Sequence, residues 1–418
     1  MEEQHDIHEF DKRVKALINR IQADKRIHNS NKKYLKEFLD YCVVSGMKKS
    51  SIHKDLYSLW FIASHLNKDF KNASKADFYG IIRIIEEMKW SEFTKRNHRV
   101  AIKKFMKWLK GNNKQYPEEV GDISTGRKML KGFTPDDILE PKEVEKMINA
   151  ADNIRNKTFV MFLALTGARI GEALNCKIKH CRFQDTGEVI IMLNGKTGFR
   201  TVVSIPLASQ LATYIENGHP TKNPDDYLWL TNSNKMSGRE LVGKRTNAKT
   251  GIETDVYKDV LSPLGYGAAI KILKILSQKA GIKNKRVSPH WFRRYSATQD
   301  ASYMSDRMMM LKYGWNDSST VGTYSKLSPQ TLIEAERKRH GRSTESGKPS
   351  LTVIVCPRCR LDNPPASKFC SKCGMILSAE TSQKIQKKQN EYDKFMTNPK
   401  NKKMILKFIE FMQKEKKS

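Results

Sequence analysis

The chain has 418 residues, and 76 lysines and arginines against 45 aspartates and glutamates give it a formal net charge of +31 at pH 7. Its 39% hydrophobic residues, with 17 phenylalanines and 6 tryptophans, suffice for ordinary cores and exclude global disorder. No apolar run approaches the roughly 20 residues that cross a bilayer, and the N-terminus is polar where a secretory signal is basic and then apolar. We expect a cytoplasmic protein of two or three domains, with no membrane partner.

The basic surplus is present in residues 1–115, 116–380 and 381–418 alike. Clustered lysines and arginines bind phosphates by displacing condensed counterions, so a polyanion is the expected partner, with double-stranded DNA first among the candidates. Charge alone fits a generally basic, solubilising surface equally well.

Residues 8–115 have apolar residues three and four positions apart, which predicts a helical domain. In residues 93–111 an apolar stripe alternates with basic residues, which predicts a helix with one buried face and one basic face. The basic positions are Lys95, Arg96, Arg99, Lys103, Lys104 and Lys107. A solvated face is the default for any one such helix, but several basic helices in one bundle favour DNA.

Residues 116–135 are polar and rich in glycine, which indicates a linker. The second domain, residues 136–340, has helical periodicity on both sides of a hairpin in which EVIIML and RTVVSIP flank the turn NGKTG. We therefore expect a mostly α fold: a helical domain, then a mixed α/β domain that is mainly helical with a small β-hairpin sheet.

Six residues of the second domain form a candidate site. They are Arg169 in LTGARIGEAL, Lys196 at the hairpin tip, His290 and Arg293 in HWFR, and Trp315 and Tyr324 in YGWNDSSTVGTYSK. Taken singly, each has an ordinary explanation: Arg169 and Glu172 suit an i, i+3 ion pair at the start of a helix, with Arg169 one turn inside it. His290 and Arg293, three apart on one helix face, suit a phosphate-binding or proton-transfer pair, although a partly buried histidine bonded to the backbone is commoner.

Together, in this order, the six residues resemble the tyrosine recombinase family, which includes the phage integrases and the Xer proteins. The resemblance covers residues 136–340, and residues 8–115 are similar to the family's core-binding domain in size, placement and basic character. Trp315 stands where a second histidine is usual, and its indole N–H can still donate a hydrogen bond. Arg294 stands where histidine is frequent, and we assign it no role.

The resemblance implies that Tyr324 attacks a DNA phosphodiester and forms a 3′-phosphotyrosyl link. Arg169 and Arg293 would stabilise charge on the phosphate, and His290 would exchange the tyrosyl proton. Lys196 would protonate the departing 5′-oxygen, Trp315 would donate a hydrogen bond, and Glu172 would buttress Arg169. No nucleotide and no catalytic metal are expected, and the protein would act as a homotetramer on paired DNA sites.

Four of the seven cysteines, Cys356, Cys359, Cys370 and Cys373, form two C-x-x-C pairs with ten residues between them. This spacing predicts a structural zinc ribbon over residues 351–378. Two disulfides are disfavoured inside the cell, and iron–sulfur ligation is a further alternative. The ribbon could grip DNA, dock protomers or be purely structural, whereas Cys42, Cys176 and Cys181 are expected to be ordinary thiols.

Residues 379–418 form a basic tail in which Met404, Ile405, Phe408, Ile409 and Met412 predict an amphipathic helix. The family resemblance suggests that this helix is donated to a neighbouring protomer.

The predicted function is that of a site-specific DNA recombinase or integrase. A type IB topoisomerase and a non-catalytic, zinc-ribbon DNA-binding protein are the alternatives. Between chromosome-dimer resolution and integration or excision of a mobile element, the ribbon and basic tail favour the mobile element. The DNA target sequence is not predicted.

Overall fold

The computed structural model describes residues 6–111, 115–126, 135–195, 198–231, 238–246, 253–260, 262–324, 336–337, 339–341, 351–398 and 401. For residues 135, 238–242, 244–246, 253–260 and 323–324 it describes the backbone alone. The chain divides into two compact units, Met1–Phe133 and Thr134–Ser418.

The N-terminal unit is helical over its described residues. Its helices are α1 (Phe10–Ala23), α2 (Asn29–Val44), α3 (Lys49–His65), α4 (Lys75–Glu87), α5 (Glu92–Leu109) and α6 (Glu118–Gly121). Helix α3 lies at the centre and packs against α1, α2 and α5, with Leu59 and Ile62 fully buried. Ser74 begins α4 in a capping box with Asp77. Val120 and Ile123 join the same core, so the packed unit extends into the segment expected to be a linker.

Helix α5 only partly matches the basic face expected for it. Lys95 and Lys103 are buried, and their ammonium groups donate to backbone carbonyls of Glu86, Gly121 and Ile123. The flexible aliphatic stem of each lysine packs in the interior while its ammonium group reaches carbonyls at the end of α4 or α6. The prediction that these two lysines lie on a basic face is therefore wrong, and they instead tie α5 to its neighbours.

Asn31 is a buried polar residue that ties α2 to the loop after α3. It is fully buried; its amide nitrogen donates to the carbonyl of Lys68 at 2.8 Å, and its amide oxygen accepts from the N–H of Phe70 at 2.8 Å. The carbonyl of Lys68 and the N–H of Phe70 lie beyond the end of α3, and Asn31 supplies their hydrogen-bond partners. Phe70 itself is fully buried.

We predict that Asn31→Ala loosens this loop, because the N–H of Phe70 loses its acceptor. An orphaned buried donor costs about 2 kcal/mol, which corresponds to roughly 30-fold faster hydrogen exchange of the Phe70 amide. Exposed Asn67 in the same loop provides the control, Asn67→Ala, which should leave this exchange rate unchanged. Equal exchange rates in both variants would show that the Asn31 hydrogen bonds do not hold the loop.

The second unit combines helices with small antiparallel sheets. Its helices are α7 (Pro141–Asn149), α8 (Ile154–Thr166), α9 (Ile170–Leu174), α10 (Ile205–Asn217), α11 (Tyr266–Lys279), α12 (Pro289–Asp300), α13 (Asp306–Tyr313), α14 (Ser318–Tyr324) and α15 (Ala379–Thr397). Its strands are β1 (Cys181–Phe183), β2 (Val189–Gly195), β3 (Gly198–Ser204), β4 (Gly238–Thr246), β5 (Glu253–Val260), β6 (Ile354–Val355) and β7 (Asp362–Asn363). Helix α8 lies at the centre, packed against α7, α10 and α12.

The main sheet has the order β1-β2-β3, and the pairs from Val189↔Ser204 to Gly195↔Gly198 set the register of its hairpin. β4 pairs with β5, and β6 with β7. No helix in the described parts of the chain combines the length and the apolar character needed to span a membrane.

The mostly α fold is confirmed, and so is the hairpin over residues 189–204. The third strand, β1, and the hairpin of β4 and β5 were not predicted from the sequence. β1 has three residues, too few to show an alternation. Strands β4 and β5 have the sequences GRELVGKRT and ETDVYKDV, in which most residues are polar. They therefore lack the alternation of apolar and polar residues that predicts a strand. The apolar positions predicted for a helix after residue 401 lie outside the described residues.

Candidate active site

The site begins at a chain reversal after α8. Gly167 ends α8 in the left-handed region, with φ +56°, and a Cβ there would lie 2.4 Å from Cε1 of Tyr313. Glycine is therefore required by both backbone conformation and space. Arg169 follows as the N-cap of the short helix α9. The sequence-based placement of Arg169 one turn inside a helix that starts at Thr166 and Gly167 is wrong, because those residues end α8 and the next helix starts only at Ile170.

Glu172 is the buried centre to which the neighbouring elements attach. It is 2% exposed, and its carboxylate accepts from Nη1 of Arg169 at 2.8 Å, from the backbone N–H of Arg169 at 2.8 Å, and from Nη2 of Arg200 at 2.7 Å. Burial raises the pKa of Glu172, but the hydrogen bond and charge of Arg200, with the bonds from Arg169, outweigh it and hold that pKa below its ordinary value. The carboxylate is therefore ionised.

The hairpin of β2 and β3 approaches the same carboxylate. Gly195, the last residue of β2, packs so closely that a Cβ there would lie 2.4 Å from Oε1 of Glu172. Lys196, the next residue, lies outside the described residues. The backbone that leads to Lys196 is thus held against the ion pair of Arg169 and Glu172.

Three arginines donate to three successive carbonyls at the C-terminal end of α13. Arg200 donates to Lys312, Arg293 to Tyr313, and Arg169 to Gly314, the last at 3.4 Å. Arg293 also donates to the carbonyl of Gly167 at 2.8 Å. The end of a helix carries partial negative charge and carbonyls without helical partners, so it suits guanidinium groups well.

His290, Arg293 and Trp315 complete an open cavity with Arg169. The cavity has a volume of about 410 Å³. Its lining comprises Arg169, His290, Arg293, Gly314, Trp315, Asn316, Asp317 and Thr320. Trp315 stacks on Tyr313 with ring centres 4.8 Å apart, and Cζ of Arg293 lies 5.6 Å from the centre of the Trp315 ring. The structure thus brings four of the six predicted residues to one cavity.

His290 is an exposed residue of α12 that lies among positive charges. Burial lowers its pKa below the ordinary 6.5, and the positive charges of Arg294, Arg293 and Arg169 lower it further. The imidazole is therefore neutral at pH 7 and able to accept a proton. Arg294, to which the sequence assigned no role, lies with Cζ 4.4 Å from the centre of the Trp291 ring.

Tyr324 is the last residue of α14, and its side chain lies outside the described part of the chain. Helix α14 begins three residues after Trp315, and Thr320 of this helix lines the cavity. The helix that carries Tyr324 thus starts beside the arginine cluster.

Arg200 is the site residue that the sequence analysis missed. The burial of β3 alternates, so that Arg200, Val202 and Ser204 face inward. A strand with an arginine in phase with its buried valine is the signal that could have revealed it, because a charge on an inward face requires a partner.

The second candidate site is the cysteine cluster. The four predicted sulfurs lie within 4.8 Å of one another, and the Cys356–Cys373 and Cys359–Cys370 sulfur pairs are each 3.5 Å apart. Zn–S bonds of about 2.3 Å in a tetrahedron place sulfurs roughly 3.8 Å apart, so the cluster is compatible with a structural metal ion.

The two cysteine loops also have matching backbones. The residue after each second cysteine, Arg360 or Gly374, has positive φ. The N–H of Cys359 lowers the pKa of Cys356, and the N–H of Cys373 lowers that of Cys370 to about 6, which favours the thiolate at these two cysteines, whereas the pKa of Cys359 is raised to about 11.

A buried asparagine joins the two loops. Asn363 donates to the carbonyl of Leu361 at 2.9 Å and accepts from the N–H of Ser371 at 2.9 Å. The ribbon packs on α10 through β7 and shares with it and the β1–β2 turn a cavity of about 240 Å³. It therefore lies at the end of the main sheet opposite the hairpin tip.

Comparisons with known proteins agree on one family. The model of the phage integrase family matches residues 137–331. Tyrosine recombinase XerA of Pyrococcus horikoshii is 26% identical over 312 residues, which cover 74% of this chain and 94% of that protein. Tyrosine recombinase XerD of Oceanobacillus iheyensis is 24% identical over 301 residues, or 70% of this chain and 92% of that protein.

Solved structures show the same fold. A XerH site-specific recombinase bound to its difH substrate has a TM-score of 0.52 at 17% identity, covering 80% of this chain and 90% of that one. A lambda integrase dimer bound to a core site has a TM-score of 0.51 at 11% identity, and the match covers 71% of this chain and 96% of that one. Together with these relatives, the family match identifies residues 137–331 as a tyrosine recombinase domain of the phage integrase family, and the solved structures share its fold.

Proposed function

We propose that this site-specific recombinase cuts and rejoins double-stranded DNA through Tyr324, with Arg169, Lys196, His290, Arg293 and Trp315 as the other catalytic residues. The observation that carries this proposal is the single cavity lined by Arg169, His290, Arg293 and Trp315. It gathers positive charge, a neutral imidazole and an indole beside the start of the helix that ends at Tyr324.

In the proposed reaction, the phenolic oxygen of Tyr324 attacks the phosphorus, and the bond to the 5′-oxygen breaks. His290 accepts the phenolic proton, because a phenol with a pKa of about 10 is a weak nucleophile until it is deprotonated. Lys196 gives a proton to the 5′-oxygen as it leaves. The phosphate stays on Tyr324 as a 3′-phosphotyrosyl link, and attack by a 5′-hydroxyl reverses each step.

Arg169 and Arg293 stabilise the charge that develops on the non-bridging oxygens. A guanidinium has five N–H donors, so bonds to Glu172, Gly167 and the α13 carbonyls orient it without using its full donor capacity. Since these donors are already fixed, little reorganisation is required when the transition state forms. The chemistry uses no nucleotide and no catalytic metal in this proposal.

We propose that the assembly is a homotetramer on paired DNA sites in the cytoplasm, with residues 8–115 as the core-binding domain and the tail beyond residue 379 as a contact between protomers. One solved relative is a lambda integrase tetramer bound to a Holliday junction. Pairing of sites separates this function from that of a type IB topoisomerase, which would relax supercoils at a single site.

We propose further that the four cysteines hold a structural zinc ion. The close sulfurs and matched loops support this assignment. The ribbon packs on α10, at the end of the sheet opposite the hairpin tip, which favours a structural role over participation in DNA cleavage.

We predict that Tyr324→Phe abolishes covalent capture of DNA, because the variant lacks the attacking oxygen. The parent protein is incubated with fragments of the genome that encodes it, denatured, and recovered with any DNA that remains attached. Sequencing then locates the cleavage site, and protease treatment should release DNA that is blocked at its 3′ end. Tyr303→Phe is the control, since Tyr303 is an exposed tyrosine outside the cavity.

Adducts in the parent and in Tyr303→Phe but not in Tyr324→Phe would support the mechanism. Specific binding by the parent without any adduct would instead favour the non-catalytic alternative. If a plasmid with one site is relaxed as fast as a plasmid with two sites is recombined, the topoisomerase alternative is correct.

We predict that cleavage at subsaturating enzyme declines on the acid side only below pH 6.5, because the pKa of His290 in the free protein is lowered. The folded protein is active above this lowered pKa, where the imidazole is neutral, and loses activity as pH falls through it. The anionic phosphate should move the acid limb to higher pH when DNA is saturating. His290→Gln should be slow and lack this limb; an unchanged limb in that variant would assign it to another group.

We predict one zinc ion per chain and its loss in Cys373→Ser, because three thiolates bind zinc more weakly than four. Atomic absorption of purified protein measures the metal content, and Cys181→Ala, at a cysteine outside the cluster, is the control. Removal of the ion by a chelator should expose the ribbon to proteolysis while α12 stays protected. Full zinc content in Cys373→Ser, or none in the parent, would contradict the assignment.

A further inference from the structure

We propose that Arg200 is a positioning residue for cleavage, which acts through Glu172 to hold the guanidinium of Arg169 in the cavity. The proposal rests on the proposed roles of Tyr324 and Arg169. The residue lies on β3, outside the cavity lining, so its effect on the reaction has to pass through its neighbours.

The contacts of Arg200 join three elements of the site. Its side chain is 5% exposed; Nη2 donates to Oε2 of Glu172 at 2.7 Å, and Nη1 donates to the carbonyl of Lys312. One guanidinium thus links the strand after the hairpin tip, the helix begun by Arg169, and the end of α13. Arginine suits this role because its planar fork fixes two acceptors at once.

The carboxylate of Glu172 is divided between the two arginines. Oε1 accepts from Nη1 of Arg169, while Oε2 accepts from the backbone N–H of Arg169 and from Arg200. Without Arg200, Oε2 would lose a charged partner in a site that is 2% exposed to solvent. The carboxylate would then turn toward the side chain of Arg169, because a buried charge requires compensation. This movement would draw Arg169 away from the phosphate.

A shift of this kind affects cleavage more than DNA binding. Displacement of a catalytic group by about 1 Å costs on the order of 100-fold in rate. The net charge of +31 comes from basic residues spread over the whole chain, so the loss of one buried arginine should change DNA affinity little. A structural arginine would instead lower the fraction of folded protein and leave the rate per folded molecule unchanged.

The chain provides such an arginine as a matched control. Arg155 is 7% exposed, like Arg200 at 8%, and it donates to the carbonyl of Leu230 at 2.6 Å and to the side chain of Asn156. Its contacts do not include Glu172 or the α13 carbonyls. Arg155→Met and Arg200→Met therefore remove the same buried group at sites that differ in their connection to Arg169.

The experiment measures single-turnover formation of the phosphotyrosyl adduct on an oligonucleotide that carries the cleavage site found by sequencing. The oligonucleotide is nicked near this site, so that the short fragment with the 5′-hydroxyl diffuses away after cleavage. Arg200→Met, Arg200→Lys and Arg155→Met are compared, each in the parent and in an Arg169→Ala background. Rates are normalised to folded protein by near-UV circular dichroism, and DNA affinity is measured in parallel.

We expect Arg200→Met to slow cleavage about 100-fold with affinity within about threefold of the parent, and Arg200→Lys to recover part of the rate. In the Arg169→Ala background, Arg200→Met should slow cleavage further by less than about threefold, because no guanidinium is left at residue 169 to position. Arg155→Met should not change the normalised rate.

Equal losses from Arg200→Met in both backgrounds, or a normalised rate like that of Arg155→Met, would overturn the proposal. A parent protein that binds the site and forms no adduct would instead overturn the proposed function, so the two failures are distinguishable.

Discussion

The site depends on one electrostatic constraint: three guanidinium groups are held close together before any phosphate is present. Their mutual repulsion is offset by the ionised, buried Glu172 and by the three carbonyls at the end of α13. Glu172 and Asp317, which lines the cavity, are two carboxylates against three arginines, so a positive surplus remains that a phosphodiester anion can compensate. The same surplus contributes to the lowered pKa of His290. The protein therefore stores positive charge in fixed positions, as electrostatic catalysis requires.

The geometry of the second unit follows from this constraint. The ends of α8, β2 and α13 converge on the arginines. Gly167 at the end of α8 and Gly195 at the end of β2 are required because a Cβ would not fit there. Gly314 ends α13 with φ +59°, and the N–H of Trp315 bonds back to Met310 at 3.0 Å. This closure of α13 places its carbonyls toward the arginines and sends the chain on to α14. Packing, helix termination and the proposed catalysis therefore depend on the same few residues.

Much of this arrangement could be predicted from the sequence, because the residue types are few and chemically demanding. His290 and Arg293 share a helix face by their spacing alone, and the hairpin follows from alternation and Asn-Gly. Arg200 could not be found in this way, since its importance depends on Glu172, which lies 28 residues away in the chain. Lys95 and Lys103 were misjudged for a similar reason: their partners are carbonyls that only the folded chain brings near.

The cysteine ribbon and the arginine cluster are two separate solutions to holding charge in a small space. In the ribbon, four cysteine sulfurs lie close enough together for a metal ion, and Asn363 joins the two loops. In the cavity, guanidiniums gather around a site for an anion. The central claim, that this cavity receives the scissile phosphate, is tested most directly by a crystal structure of Tyr324→Phe bound to DNA with its cleavage site. We predict that non-bridging oxygens of that phosphate lie about 3 Å from guanidinium nitrogens of Arg169 and Arg293; a phosphate bound against any other surface of the protein would contradict the claim.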